Sequence, residues 1–228
     1  EEDRAGWSDA AALLAPELGS SEKGIRPFRA DRVPFPRGWT SVEWPTGPVD
    51  IEIGCGVGLH PIRYAAANPE RTLFAIEHTV ERFESFQRRF GNHDRPANLV
   101  PIHADAVEWI THFVPPGSVQ RYFFLYPNPW PRPGDERRRW YRQPFFARVL
   151  ESLAPGGEVF LATNIEDYAA GAERDFADVL GLDSVRRERV AGPPRTHFEK
   201  KYLERGEACW TVQARKPLER KWNDPDLT

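Results

Sequence analysis

Val49-Asp50-Ile51-Glu52-Ile53-Gly54-Cys55-Gly56-Val57-Gly58 is a short, mostly apolar run that stops on glycines at every second position. Residues 58–69, GLHPIRYAAANP, follow with helical spacing and end at Asn68-Pro69. A run too short for a buried helix, halted by glycine and feeding a helical pattern, reads as a strand, a tight turn and a helix. The same alternation continues downstream. LFAIEH (73–78) is a second strand, and TVERFESFQRRFG (79–91) an amphipathic helix with Phe83, Phe86 and Phe90 on one stripe. LVPIHAD (99–105), VQRYFFLYP (119–127) and GEVFLATN (157–164) are further buried strands, with helices expected from Ala106, Trp140 and Glu166. Pro115-Pro116-Gly117 and Pro155-Gly156-Gly157 supply the turns before the fourth and fifth strands. Units of about 25–30 residues mean right-handed βαβ crossovers, hence a doubly wound α/β domain with a mostly parallel sheet. Residues 184–190 and 208–215 are expected to add two final strands, an antiparallel pair being one arrangement.

The chain has 228 residues, enough for one domain with an appendage. The expected division is an N-terminal arm over 1–46, the α/β domain over 47–216 and a tail over 217–228. In the arm, Ser8 and Asp9 can cap a short helix, AAALLAPEL, which Pro16 ends early. The rest of the arm reads as irregular, with Trp7, Trp39 and Trp44 expected to pack onto the domain. No apolar run approaches the roughly 20 residues of a membrane span, and the opening EEDRAGW lacks the basic start and apolar stretch of a signal peptide. With two cysteines, Cys55 and Cys209, a disulfide scaffold is excluded, and a cytoplasmic location is the expectation. Lys and Arg total 31 against 34 Asp and Glu, a net charge of −3, so any grip on nucleic acid must rest on a local basic patch.

In doubly wound sheets, ligands sit beyond the carboxyl ends of the strands, where the turn Gly54-Cys55-Gly56-Val57-Gly58 lies. Its spacing is GxGxG; the dinucleotide fingerprint GxGxxG would need glycine at Leu59. Glu77 closes the second strand about 20 residues on, where a carboxylate can accept ribose hydroxyls, and Asp105-Ala106 closes the third, beside a place for an adenine edge. Glu52 adds a further negative charge near the turn. So much negative charge suits a cationic sulfonium better than a pyrophosphate, which points to S-adenosylmethionine rather than NAD as cofactor.

The fourth strand ends in Tyr126-Pro127-Asn128-Pro129-Trp130-Pro131-Arg132. Prolines on both sides stiffen the loop and fix Asn128 at the mouth of the sheet, while Trp130 can stack on a base. Arg137-Arg138-Arg139 and Arg142 suit phosphates, or else form a solvated helix start. A second basic face is open to Arg186, Arg187, Arg189, Arg195, Lys200 and Lys201. Six histidines are scattered without ligand spacing, so no metal is expected. Cys55 reads as a small packing residue, and no GxSxG elbow supports a hydrolase.

Over residues 50–216 the ordered set IEIGCGVG, FFLYPNPWPR, LAPGGEVFLATNIEDYA and PPRTHFEKKYLERGEACWTVQARK resembles the bacterial tRNA (guanine-N7-)-methyltransferase family. The resemblance implies a Rossmann-like S-adenosylmethionine-dependent methyltransferase fold acting on tRNA. It implies that Glu52, Gly54, Gly56, Gly58, Glu77, Asp105, Ala106 and Asn128 hold the cofactor. It makes Asn128 the catalytic position, and Arg132, Asn164, Thr196, Glu199 and Trp130 the substrate contacts. Two departures stand out: Asn128 and Asn164 replace family aspartates, and Pro133-Gly134-Asp135-Glu136 interrupts a denser basic run. They leave open a pocket retuned to another aromatic nitrogen heterocycle, as a small molecule or in other RNA, or a non-enzyme that only binds cofactor or RNA.

Overall fold

The computed structural model describes residues 27–92, 95–132 and 134–218. The expected helix AAALLAPEL, Trp7 and most of the C-terminal tail lie outside the described residues. Strands β1 (Val49–Ile53), β2 (Thr72–Glu77), β3 (Leu99–His103), β4 (Val119–Leu125) and β5 (Leu153–Thr163) alternate with helices. The helices are α1 (Leu59–Ala67), α2 (Val80–Gly91), α3 (Ala106–Phe113), α4 (Phe145–Ser152) and α5 (Glu166–Asp178). Strand β6 (Asp183–Arg189), helix α6 (His197–Glu204) and strand β7 (Trp210–Arg215) complete the order. The seven strands form one sheet in the order β3-β2-β1-β4-β5-β7-β6. β1 to β5 pair in parallel, and β7 runs antiparallel to both β5 and β6. The expected closing pair is thus present, with β7 inserted between β5 and the edge strand β6.

Every residue of β1 is buried, because helices cover both faces of the sheet centre. On one face Ile51, Phe124, Trp109, Phe146 and Phe176 share a core with α3, α4 and α5. On the other, Phe86, Phe83 and Phe123 pack with α1 and α2. Asp50 is wholly buried in β1; Arg71 Nε donates to its Oδ2 at 2.6 Å and Tyr64 Oη at 2.7 Å, so the charge is paired. The arm from residue 27 lies on the domain, with Trp44 stacked on Phe74 (5.4 Å) and Trp39 edge-on to Trp109 (6.0 Å).

One helix starts later than its sequence suggests. Trp140–Arg142 is a single 3₁₀ turn, and α4 begins at Phe145 after Pro144. Proline disfavours helical backbone in the residue before it, so Gln143 stays extended and divides the two segments.

Candidate active site

At the carboxyl end of β1, the N–H groups of Gly54 and Cys55 both donate to the Ile76 carbonyl, at 2.8 and 3.1 Å. This fastens the glycine turn to the end of β2. Gly54, Gly56 and Gly58 all have left-handed φ (72°, 60° and 79°), the region that favours glycine. Their surroundings differ. A Cβ on Gly54 or Gly56 would meet nothing within 4 Å, whereas one on Gly58 would lie 2.0 Å from Cδ2 of Phe86. The first two glycines leave room for a ligand against bare backbone; the third lets α2 pack under the turn.

Glu77 is buried at the end of β2 and each of its oxygens takes a backbone N–H, Oε2 from Gly56 (2.9 Å) and Oε1 from Thr79 (2.8 Å). A carboxylate oxygen has a second lone pair, so acceptor capacity remains for hydroxyls. Just past the end of the neighbouring β3, Asp105 is exposed and caps α3, its Oδ1 accepting from Val107 (2.8 Å) and Glu108 (3.2 Å), with Ala106 opening the helix. Glu52 does not join them at the rim. It is 1 % exposed, and its carboxylate meets His60 Nδ1 of α1 at 2.8 Å, bracing the helix that follows the turn. Cys55 is buried; desolvation, then the charges of Glu52 and Glu77, push its thiol well above the ordinary range, as suits a packing residue. S-adenosylmethionine fits this set: bare backbone at Gly54 and Gly56, with Glu77 and Asp105 at successive strand ends. Among the described residues, no group of three or more His, Cys, Asp or Glu could hold a metal ion.

The loop after β4 is strained. Tyr126 (φ 56°) and Trp130 (φ 45°) are non-glycine residues in the left-handed region, a conformation that persists only where surroundings enforce it. Tyr126 N–H extends the sheet to the Ala162 carbonyl at 2.8 Å, and Pro127 and Pro129 stiffen the rest of the loop. Asn128 is exposed, and its Oδ1 accepts the Trp130 N–H at 3.3 Å. Its Nδ2 donors and the second lone pair of Oδ1 are left for a ligand. Trp130 carries the Arg138 guanidinium over its ring at 4.5 Å, and Arg132 is exposed at the end of the loop.

Half of the basic run is engaged within the protein. Arg139 is buried with Nη2 donating to Asp167 (2.8 Å), and Arg142 Nε donates to Asp175 (2.6 Å), both acids on α5. Of the four arginines in the run, only Arg137 and Arg138 stay exposed. The second face is likewise partly neutralised, with Arg187 paired to Glu166 and Glu173, and Arg186 to Glu188.

Beyond β5, Asn164 Nδ2 donates to Glu207 Oε2 at 2.8 Å, which ties the strand end to the loop before β7. Helix α6 lies over this end of the sheet, Tyr202 facing Tyr126 with ring centroids 5.7 Å apart. Thr196 caps α6, its Oγ1 accepting from Glu199 N–H at 3.0 Å. Glu199 is 0 % exposed, and both its oxygens accept from Arg195 Nε, at 3.1 and 3.0 Å. Both expected guanosine contacts are thus engaged within the protein. The Tyr126 phenol is buried against Cys209 and has no oxygen or nitrogen partner among the described residues. Tyr126 escapes sequence reading, since a left-handed φ at tyrosine has no local signature.

The family model described as "Putative methyltransferase" matches residues 46–212. The chain is 30% identical over 196 residues to a tRNA (guanine-N(7)-)-methyltransferase of Geobacter metallireducens, covering 83% of this chain and 92% of that one. A protein of the same name from Alkalilimnicola ehrlichii is 33% identical over 228 residues, covering 93% of this chain and 87% of that one. Among solved structures, the 16S rRNA methyltransferase KamB matches with a TM-score of 0.56 at 17% identity, over 75% of this chain and 88% of that one. That likeness supports the fold.

Proposed function

Because the chain belongs to the methyltransferase family whose model spans residues 46–212, we propose that it moves a methyl group from S-adenosylmethionine to N7 of a guanosine in tRNA. Residues 47–216 would be the catalytic unit, with residues 27–46 laid against it through Phe28, Trp39 and Trp44. The observation that carries the reading is the open backbone at Gly54 and Gly56, one strand away from the rigid Asn128 loop. Adjacent strands are about 4.8 Å apart, so the two loops can present donor and acceptor to each other. Neither the retuned pocket nor the non-enzyme is favoured by the relatives, which carry the tRNA guanine-N7 name over most of the chain.

The cofactor, when bound, supplies an electrophilic methyl carbon on positively charged sulfur. Guanine N7 has a free lone pair and no proton to lose, so the chain's residues need no strong base. Their work is alignment and exclusion of water. Glu77, clamped by Gly56 and Thr79, is a fixed acceptor for ribose hydroxyls, and Asp105 offers a second carboxylate beside it. Asn128, held by Trp130 N–H, offers its NH₂ group to an acceptor on the purine edge. Trp130, half-buried in the same loop, provides a flat surface beside it. Incubating unmodified tRNA with methyl-labelled cofactor and analysing the nucleosides tests the proposal. N7-methylguanosine is the expected product, and its absence refutes the acceptor assigned here.

A further inference from the structure

We infer that Arg195, oriented by buried Glu199, grips the phosphate of the acceptor nucleotide; the inference rests on the tRNA reading above. Glu199 is fully buried, and both its oxygens accept from Arg195 Nε, which fixes the direction of the guanidinium. A second tether comes from β7, where Arg195 Nη2 donates to Thr211 Oγ1 at 2.9 Å. Two faces of the guanidinium are thereby fixed. Its Nη1 has no partner among the described residues, and the side chain remains 32 % exposed. A cation held by a buried carboxylate and a hydroxyl, with one donor edge toward solvent, is a preorganised anion site.

Its place in the sheet assigns it to the acceptor. Thr211 pairs with Ala162, which also receives the Tyr126 N–H, so the guanidinium stands level with the start of the Asn128 loop. From the glycine turn on β1, the strand order passes through β4 and β5 before reaching β7. Three strand spacings are about 14 Å, on the far side of Asn128 from Glu77 and Asp105. The purine itself is a poor target for this cation. A positive donor on the N7 edge would compete for the lone pair that must attack, whereas a phosphate gains from the charge without weakening the nucleophile. Glu199 then acts as a positioning residue, because it aims Arg195.

The test compares wild type with Arg195→Lys and with the double variant R195M/E199Q, which removes both charges and so leaves no buried acid unpaired. Binding of tRNA is followed across a salt series, with tRNA KM and cofactor Kd measured alongside. R195M/E199Q should raise the tRNA KM by about tenfold or more. It should also flatten log Kd against log salt by about one, the share of one phosphate contact. Arg195→Lys, keeping the charge and losing the fork, should raise KM several-fold with the slope unchanged. Cofactor Kd should not move in either. A wild-type tRNA KM in Arg195→Lys, or a wild-type slope in the folded double variant, overturns the inference and leaves the tRNA reading standing. A weakened cofactor also overturns it, because Arg195 then belongs to the other side of the site. If wild type makes no N7-methylguanosine, the acceptor reading falls and takes this one with it.

Discussion

Glu77 uses each carboxylate oxygen on a backbone N–H, so its geometry is set before any ligand arrives. Glu77→Gln keeps the shape but turns one acceptor into a donor facing another donor. Cofactor binding should weaken by about 1.5–3 kcal/mol, read by titration calorimetry. An unchanged Kd would remove the residue from the site. Asn128 carries the opposite lesson. Its Oδ1 already accepts from Trp130 N–H, and its NH₂ group presents donors where an aspartate would present only acceptors. Guanine's Watson–Crick edge carries N–H donors, and accepting from them pushes electron density toward N7. Asn128→Asp should therefore raise kcat on tRNA at saturating cofactor. A fall would mean that the NH₂ group is what the acceptor needs.

The glycine turn shows how one motif serves two purposes. Gly58→Ala puts a methyl group into the Phe86 ring at a left-handed φ, so it should destabilise the protein by more than about 2 kcal/mol, seen as a lower midpoint in urea. Gly56→Ala has open space and incurs only the backbone strain, about 1–2 kcal/mol; its larger effect should be on cofactor Kd, because the methyl occupies ligand space. Equal losses of stability in the two variants would contradict this division. The pattern of glycines is visible in the sequence, but its division is not, because Phe86 approaches from a helix that follows another strand. The strand and helix order is legible for the same reason that β1 is buried throughout: apolar runs ended by Gly or Pro leave few alternatives. The start of α4 is less legible, since Trp140–Arg142 has helical composition and only Pro144 shows the break. Within the site, strand-end residues Glu77, Asp105 and Asn128 are readable from position alone. A partner such as His60 for Glu52 is not, because a pairing between a strand and the helix after the turn depends on rotamers and helix angles that no spacing encodes.

With a net charge of −3, the whole molecule attracts polyanions only through local fields, and which arginines contribute depends on their partners. In the sequence, Arg137 to Arg142 looks like one phosphate-binding run. In the fold, Arg142 is held by Asp175 and Arg139 by Asp167, so their charges are spent joining the segment before α4 to α5. Arg137 is exposed. The two kinds of arginine should separate in one experiment. Arg142→Ala should lower Tm by roughly 3 °C or more, from the lost charged hydrogen bond and the uncompensated Asp175, and leave the salt dependence of tRNA binding unchanged. Arg137→Ala should leave Tm within about 1 °C while reducing the salt slope by about one, as expected of a side chain that meets a phosphate. The reverse outcome, a flatter slope for Arg142→Ala with no change in Tm, would mean that the α5 pairs open when RNA binds. The basic run would then act as the sequence suggests, at the expense of two internal ion pairs.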